Sequence, residues 1–131
     1  MIKNVICCCV ILLSGNIFAQ SLSSPSKKIV LSFKLENGAP TYSVTYNAKS
    51  VIQQSAMGVK LKETAALDSG FTLEGTKESS FNESWTPVLG EQSSIKNHYN
   101  ELTVSLNQKE TKRKMNIVFR VFDEGIAFRY D

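Results

Sequence analysis

The sequence predicts an all-β chain folded as an antiparallel β-sandwich, and three observations predict it. Apolar residues recur at every second position in one short segment after another, the period of strands with one dry face and one wet face. Turns rich in Gly, Asn and Ser separate these segments, which number seven to nine. Beyond the first nineteen residues, no window carries the 3.6-residue period of a helix.

Met1 to about Ala19 has the layout of a secretory signal peptide. Lys3 supplies the positive start, Val5 to Leu13 an unbroken apolar run, and Ile17-Phe18-Ala19 a cleavage point before Gln20. The apolar run is too short for a stable membrane-spanning helix. Cys7, Cys8 and Cys9 are the chain's three cysteines. They sit inside the apolar run rather than at its end, which argues against a lipid anchor. The expected organisation is residues 1–19 as leader and residues 20–131 as one secreted or periplasmic β-sandwich domain without a disulfide. A chain of that size buries about two-thirds of its unfolded surface, enough for a real core.

The strands follow in order. Ser21 to Ser26, with Pro25, reads as a mobile lead-in. Ile29, Leu31, Phe33 and Leu35 alternate on one face of the first strand, and Asn37-Gly38 after it suits a type I′ turn. Tyr42, Val44 and Tyr46 form the next apolar face, and Asn47-Ala48-Lys49 turns the chain into a short strand at Val51 and Ile52. Met57 to Leu61 and Phe71 to Glu74 read as two more short strands, and Ser79 to Gln92 as a long irregular stretch. Leu102, Val104 and Leu106 alternate again, then Met115, Ile117, Phe119 and Val121, then Ile126, Phe128 and Tyr130. The last strand reaches Asp131 with no partner after it, so the chain reads as the front piece of a larger protein.

The formal charge is +3. The one basic cluster, Lys109 to Lys114, lacks interleaved aromatics and reads as a hairpin tip, not a nucleic-acid footprint. There is no nucleophile elbow, phosphate-binding Gly loop, CxxC pair or HExxH pair. His98 is the sole histidine, which excludes a multi-His metal site. Asp123 and Glu124 are neighbours on a turn and point apart, so they serve turn polarity better than paired acid–base work.

Trp85 has two readings. It is a platform for the apolar face of a sugar, or an anchor folded back onto the sandwich. Asn97-His98-Tyr99-Asn100-Glu101 either presents Asn97, His98 and Glu101 to a ligand or neighbouring domain, or satisfies backbone groups where a loop enters the sheet. A terminal hairpin turning on Glu124-Gly125 places Arg120 across from Arg129. Opposed like charges are unfavourable, so the pair predicts acidic groups contributed by another domain.

Three segments in order, Trp85-Thr86-Pro87-Val88-Leu89-Gly90-Glu91, Asn97 to Leu102, and Phe119 to Tyr130, resemble the N-terminal domain of glycoside hydrolase family 97. The likeness extends to Tyr42–Tyr46 and to Gly58-Val59-Lys60-Leu61. The resemblance implies a galactose-mutarotase-like supersandwich, here incomplete, preceding a (β/α)₈ barrel in an exported exo-acting α-glucosidase or α-galactosidase. It implies α-linked sugars as ligands, a bracing and pocket-walling role for this part, and calcium dependence of the whole enzyme. It transfers no catalytic residue and no calcium ligand onto this chain, which alone is expected to be inactive. The alternative is a free-standing carbohydrate-binding β-sandwich with Trp85 as its platform.

Overall fold

The computed structural model describes residues 15, 17–89, 91 and 94–131, so most of the expected leader lies outside the described residues. Eight strands form two four-stranded antiparallel sheets. The first sheet holds β1 (Ile17–Ser23), β2 (Ile29–Glu36), β3 (Ala39–Tyr46) and β4 (Lys49–Ala56) in sequential order. The second holds β5 (Phe71–Trp85), β6 (Ile95–Gln108), β7 (Arg113–Phe122) and β8 (Ile126–Tyr130), likewise in order. Sequential order means every connection within a sheet is a hairpin, as alternating segments with short turns dictate.

The alternating residues meet between the sheets. Leu31, Phe33 and Leu35 of β2 and Val44 of β3 face Leu102, Val104 and Leu106 of β6 and Met115, Ile117, Phe119 and Val121 of β7, all buried. The Phe33 and Phe119 rings meet across the layer at 5.8 Å. Fully burying one such side chain contributes about 1.5–3 kcal/mol. Asn37 and Gly38 take φ of 50° and 80° between the paired Glu36 and Ala39, the positive values that a type I′ turn needs. A Cβ on Gly38 would lie 3.0 Å from the Phe71 backbone, so glycine is required there twice over.

Four expectations are corrected. The Ser-rich lead-in is not mobile: Ser21–Ser23 belong to β1, and Ser24 is buried, its hydroxyl accepting the Ile29 amide at 3.2 Å. Ile17, Phe18 and Ala19, the end of the expected leader, also lie in β1, paired with Glu36, Leu35 and Lys34. Met57 to Leu61 forms no strand beyond a single bridge from Val59 to Leu67. Gly58 breaks the run with φ 142° at a spot where a Cβ would stand 2.6 Å from Asp68 Cα. The segment is tied down instead by Tyr130, whose hydroxyl accepts the Gly58 amide at 3.0 Å, and by Gln108, whose amide donates to the Ala66 and Ser69 carbonyls.

The third correction concerns Ser79 to Trp85, which is not irregular but the second half of β5. The strand pairs without interruption from Gly75–Ser105 to Trp85–Ile95 after one bulge between Leu73 and Gly75. Its far half is exposed on both faces, so no apolar period marks it. The fourth concerns the terminal hairpin, which turns on Asp123-Glu124. Val121 pairs with Ile126, Arg120 with Ala127 and Val118 with Arg129, and the Phe122 amide donates to Gly125 O at 2.8 Å. Arg120 and Arg129 are therefore not opposed. Gly125 is not among the positive-φ glycines and does not form the corner.

Candidate functional site

Beyond the end of β7 at Phe122, β5 and β6 run on together as a two-stranded arm, because β7 reaches only as far as the pair Tyr99–Phe122. Side chains alternate along each strand, and after the bulge the register fixes which ones share a face. On the face turned away from the core lie Phe81, Glu83 and Trp85 of β5, opposite Tyr99, Asn97 and Ile95 of β6. Phe122 and Arg120 of β7 continue this face beside Tyr99 and Glu101.

Aromatic contacts organise it. The Phe81 ring stacks on Tyr99 at 5.3 Å, and Tyr99 meets Phe122 at 5.0 Å, giving a row across three strands. Tyr99 is 8% exposed although it points outward, because its neighbours cover it; Phe81 and Trp85 keep 39% and 45% of their surface free. The Arg120 guanidinium lies 4.7 Å over the Tyr99 ring and donates through Nε to Glu101 at 2.7 Å. That hydrogen bond, opposed by burial and aided by the electrostatics of the neighbouring Tyr99 and Glu101, raises the Arg120 pKa above its ordinary value. The cation is thus held in place by an aromatic face and a carboxylate together.

Of the residues singled out by sequence, Trp85, Asn97, Glu101 and Arg120 share this one face. His98, paired with Asn82, falls on the opposite face. Its charge helps lower the Asp123 pKa, behind the larger effect of hydrogen bonds from Ser26. Arg129 instead pairs with Asp131 at 3.1 Å. Both arginines line a shallow cleft of about 120 Å³ with Val118, Ala127 and Phe128. Trp85 is neither in a loop nor folded back on the sandwich; it ends β5, half exposed. Asn97 to Glu101 lie within β6 rather than at its mouth. Phe81, Tyr99 and Phe122 were not singled out by sequence, since only the β5–β6–β7 register brings them together.

The face can stack and hydrogen-bond a ligand, but its carboxylates are not placed for acid–base work. Glu83 sits opposite Asn97, and Glu101 lies four residues further along β6, about 13 Å away at strand spacing. Glycosidic acid–base pairs stand about 5–9.5 Å apart. Among the described residues, no three His, Cys, Asp or Glu converge as a metal would need, so the calcium implied by resemblance is assigned no ligand here. No described helix is long and apolar enough to cross a membrane.

Over residues 22–131 the sequence matches the family described as Glycosyl-hydrolase 97 N-terminal. A retaining alpha-galactosidase of Bacteroides thetaiotaomicron is 29% identical over 90 residues, covering 69% of this chain and 13% of that protein. A glycoside hydrolase family 97 enzyme from Pseudoalteromonas sp. strain K8, solved in complex with acarbose, superposes with a TM-score of 0.79 at 28% identity. That match covers 85% of this chain and 17% of the other. A beta-arabinopyranosidase structure gives 0.74 at 28% identity, over 85% of this chain and 18% of its own. The chain therefore spans only a small fraction of the length of these relatives.

Proposed function

The chain belongs to the glycosyl-hydrolase 97 N-terminal family, and from that premise we propose that it forms the non-catalytic leading β-sandwich of a longer, exported, exo-acting α-glycosidase. The observation that carries this reading is the family match over residues 22–131, from the end of β1 through β8. The similar proteins carry glycosidase names and are several times longer. In the whole enzyme this sandwich braces a (β/α)₈ barrel and helps wall the pocket that takes α-linked glucose or galactose. Catalysis belongs to loops at the C-terminal ends of the barrel strands, and calcium to residues outside this chain. Export by the N-terminal leader delivers the enzyme to the periplasm or the medium.

Hydrolysis of aryl α-glucosides and α-galactosides tests the division of labour. The purified 131-residue chain is expected to release no aryl alcohol, whereas a longer product that begins with the same residues and includes the barrel is expected to do so and to lose activity on calcium chelation. Turnover by the short chain alone would contradict the proposal.

A further inference from the structure

We propose that the outer face of the β5–β6 arm is a glycan-binding strip on which an α-linked oligosaccharide lies along the strands. The strip alternates in chemistry: Trp85 beside Ile95, then Glu83 beside Asn97, then Phe81 on Tyr99. Trp85 and Phe81 are four residues apart on one strand, about 13 Å, so a single pyranose ring cannot reach both. Each exposed ring offers a π face, negative at its centre, to the weakly positive C–H edges of a sugar. Between the two rings, the Glu83 carboxylate accepts and the Asn97 amide both accepts and donates, the pairing that sugar hydroxyls need. Neither side chain makes a hydrogen bond within the protein among the described residues.

Charge decides against other ligands. Between Phe81 and Trp85 the strip holds no cation, and Arg120 at its inner end is engaged by Glu101 and Tyr99. A phosphate, nucleic acid or acidic peptide therefore finds nothing to pair with, while a neutral polyhydroxyl chain does. That inner end is braced: Tyr99 is held between Phe81 and Phe122 under the Arg120 guanidinium, so the Phe81 platform is fixed before a ligand arrives. The choice of α-linked sugars rests on the function proposed above; the strip's geometry does not.

Trp85 is the only tryptophan, so its fluorescence reports binding directly. Titration of the 131-residue chain with maltotriose and with raffinose is expected to give a saturable change for at least one, with calorimetry agreeing. Trp85→Ala should weaken binding about tenfold or more, as loss of an aromatic contact worth ~1.4 kcal/mol would. Asn97→Ala should weaken it severalfold, and Asn82→Ala, on the opposite face, should leave it unchanged. Thermal melts of all variants should match the parent; should Trp85→Ala unfold, Asn97→Ala and Phe81→Leu decide. Absence of saturable binding by both methods, or equal affinity in the strip variants, would overturn the strip. So would a concentration-dependent dimer, seen by sedimentation, that Trp85→Ala dissolves, since that would make the strip a protein contact. None of these results depends on whether a barrel follows, so the strip can fail while the proposed function stands.

Discussion

At the turn between β7 and β8, the Asp123 carboxylate accepts the Ser26 amide at 2.7 Å and so ties this turn to the one between β1 and β2. Backbone and side-chain hydrogen bonds from Ser26 dominate in holding its pKa below the ordinary value, opposed by burial and helped least by Ser24 and the His98 charge. A depressed folded-state pKa means the stabilisation is complete above the unfolded value of about 3.9 and is lost as pH falls through the folded value. Asp123→Asn keeps an acceptor but no charge, so its Tm should lie below that of the parent at neutral pH, and the two should converge in strong acid. A gap that stays constant across that range would contradict the assignment. The sequence marked Asp123 as a turn residue; its partner lies 97 positions away, and no local pattern carries that information.

Elements were legible where one face is dry. β2, β3, β6 and β7 each set alternating apolar residues into the core, and their period of two is visible in the sequence. β1 and the outer half of β5 are edge strands with much of their surface wet. In the outer half of β5, Ser79 and Glu83 on one face and Ser80 and Ser84 on the other leave no periodic trace, and β1 is split between the expected leader and the Ser-rich lead-in. The candidate site suffered most from this, since Trp85 stands at the end of that hidden half-strand. The β7–β8 register also differs from expectation: a glycine suggested the corner, while the Val121–Ile126 pair and the Phe122 amide bonded to Gly125 O place it one residue earlier.

The β3–β4 turn carries a further consequence at this scale. Asn47 and Ala48 adopt φ of 48° and 63°, and a left-handed conformation costs a residue with a Cβ roughly 1–2 kcal/mol. Ala48→Gly should therefore raise stability by about 0.5–1 kcal/mol after glycine's greater loss of chain entropy, seen as a Tm several degrees higher. A lower Tm would show that the Ala48 methyl contributes more than the turn strain costs.

For the whole molecule, two sheets close over one apolar layer, and an arm projects beyond it with its aromatic residues outward. The family match spans the sandwich, while the relatives extend far past it. The arm's outer face supplies stacking surfaces and hydrogen-bonding groups, and its two carboxylates, Glu83 and Glu101, stand too far apart for a glycosidic acid–base pair. All-β architecture and family were both readable from the residues, because the alternation lies on the main strands and two of the three quoted segments, Asn97 to Leu102 and Phe119 to Tyr130, lie on β6 to β8 and their turn. On the function proposed above, the reacting groups lie beyond Asp131, where the residues of this chain give no reading of them. Reading the coding DNA for several hundred codons beyond Asp131 tests the central claim most directly. An in-frame continuation into a (β/α)₈ barrel with paired carboxylates is the result predicted here, and a stop followed by unrelated sequence would contradict it.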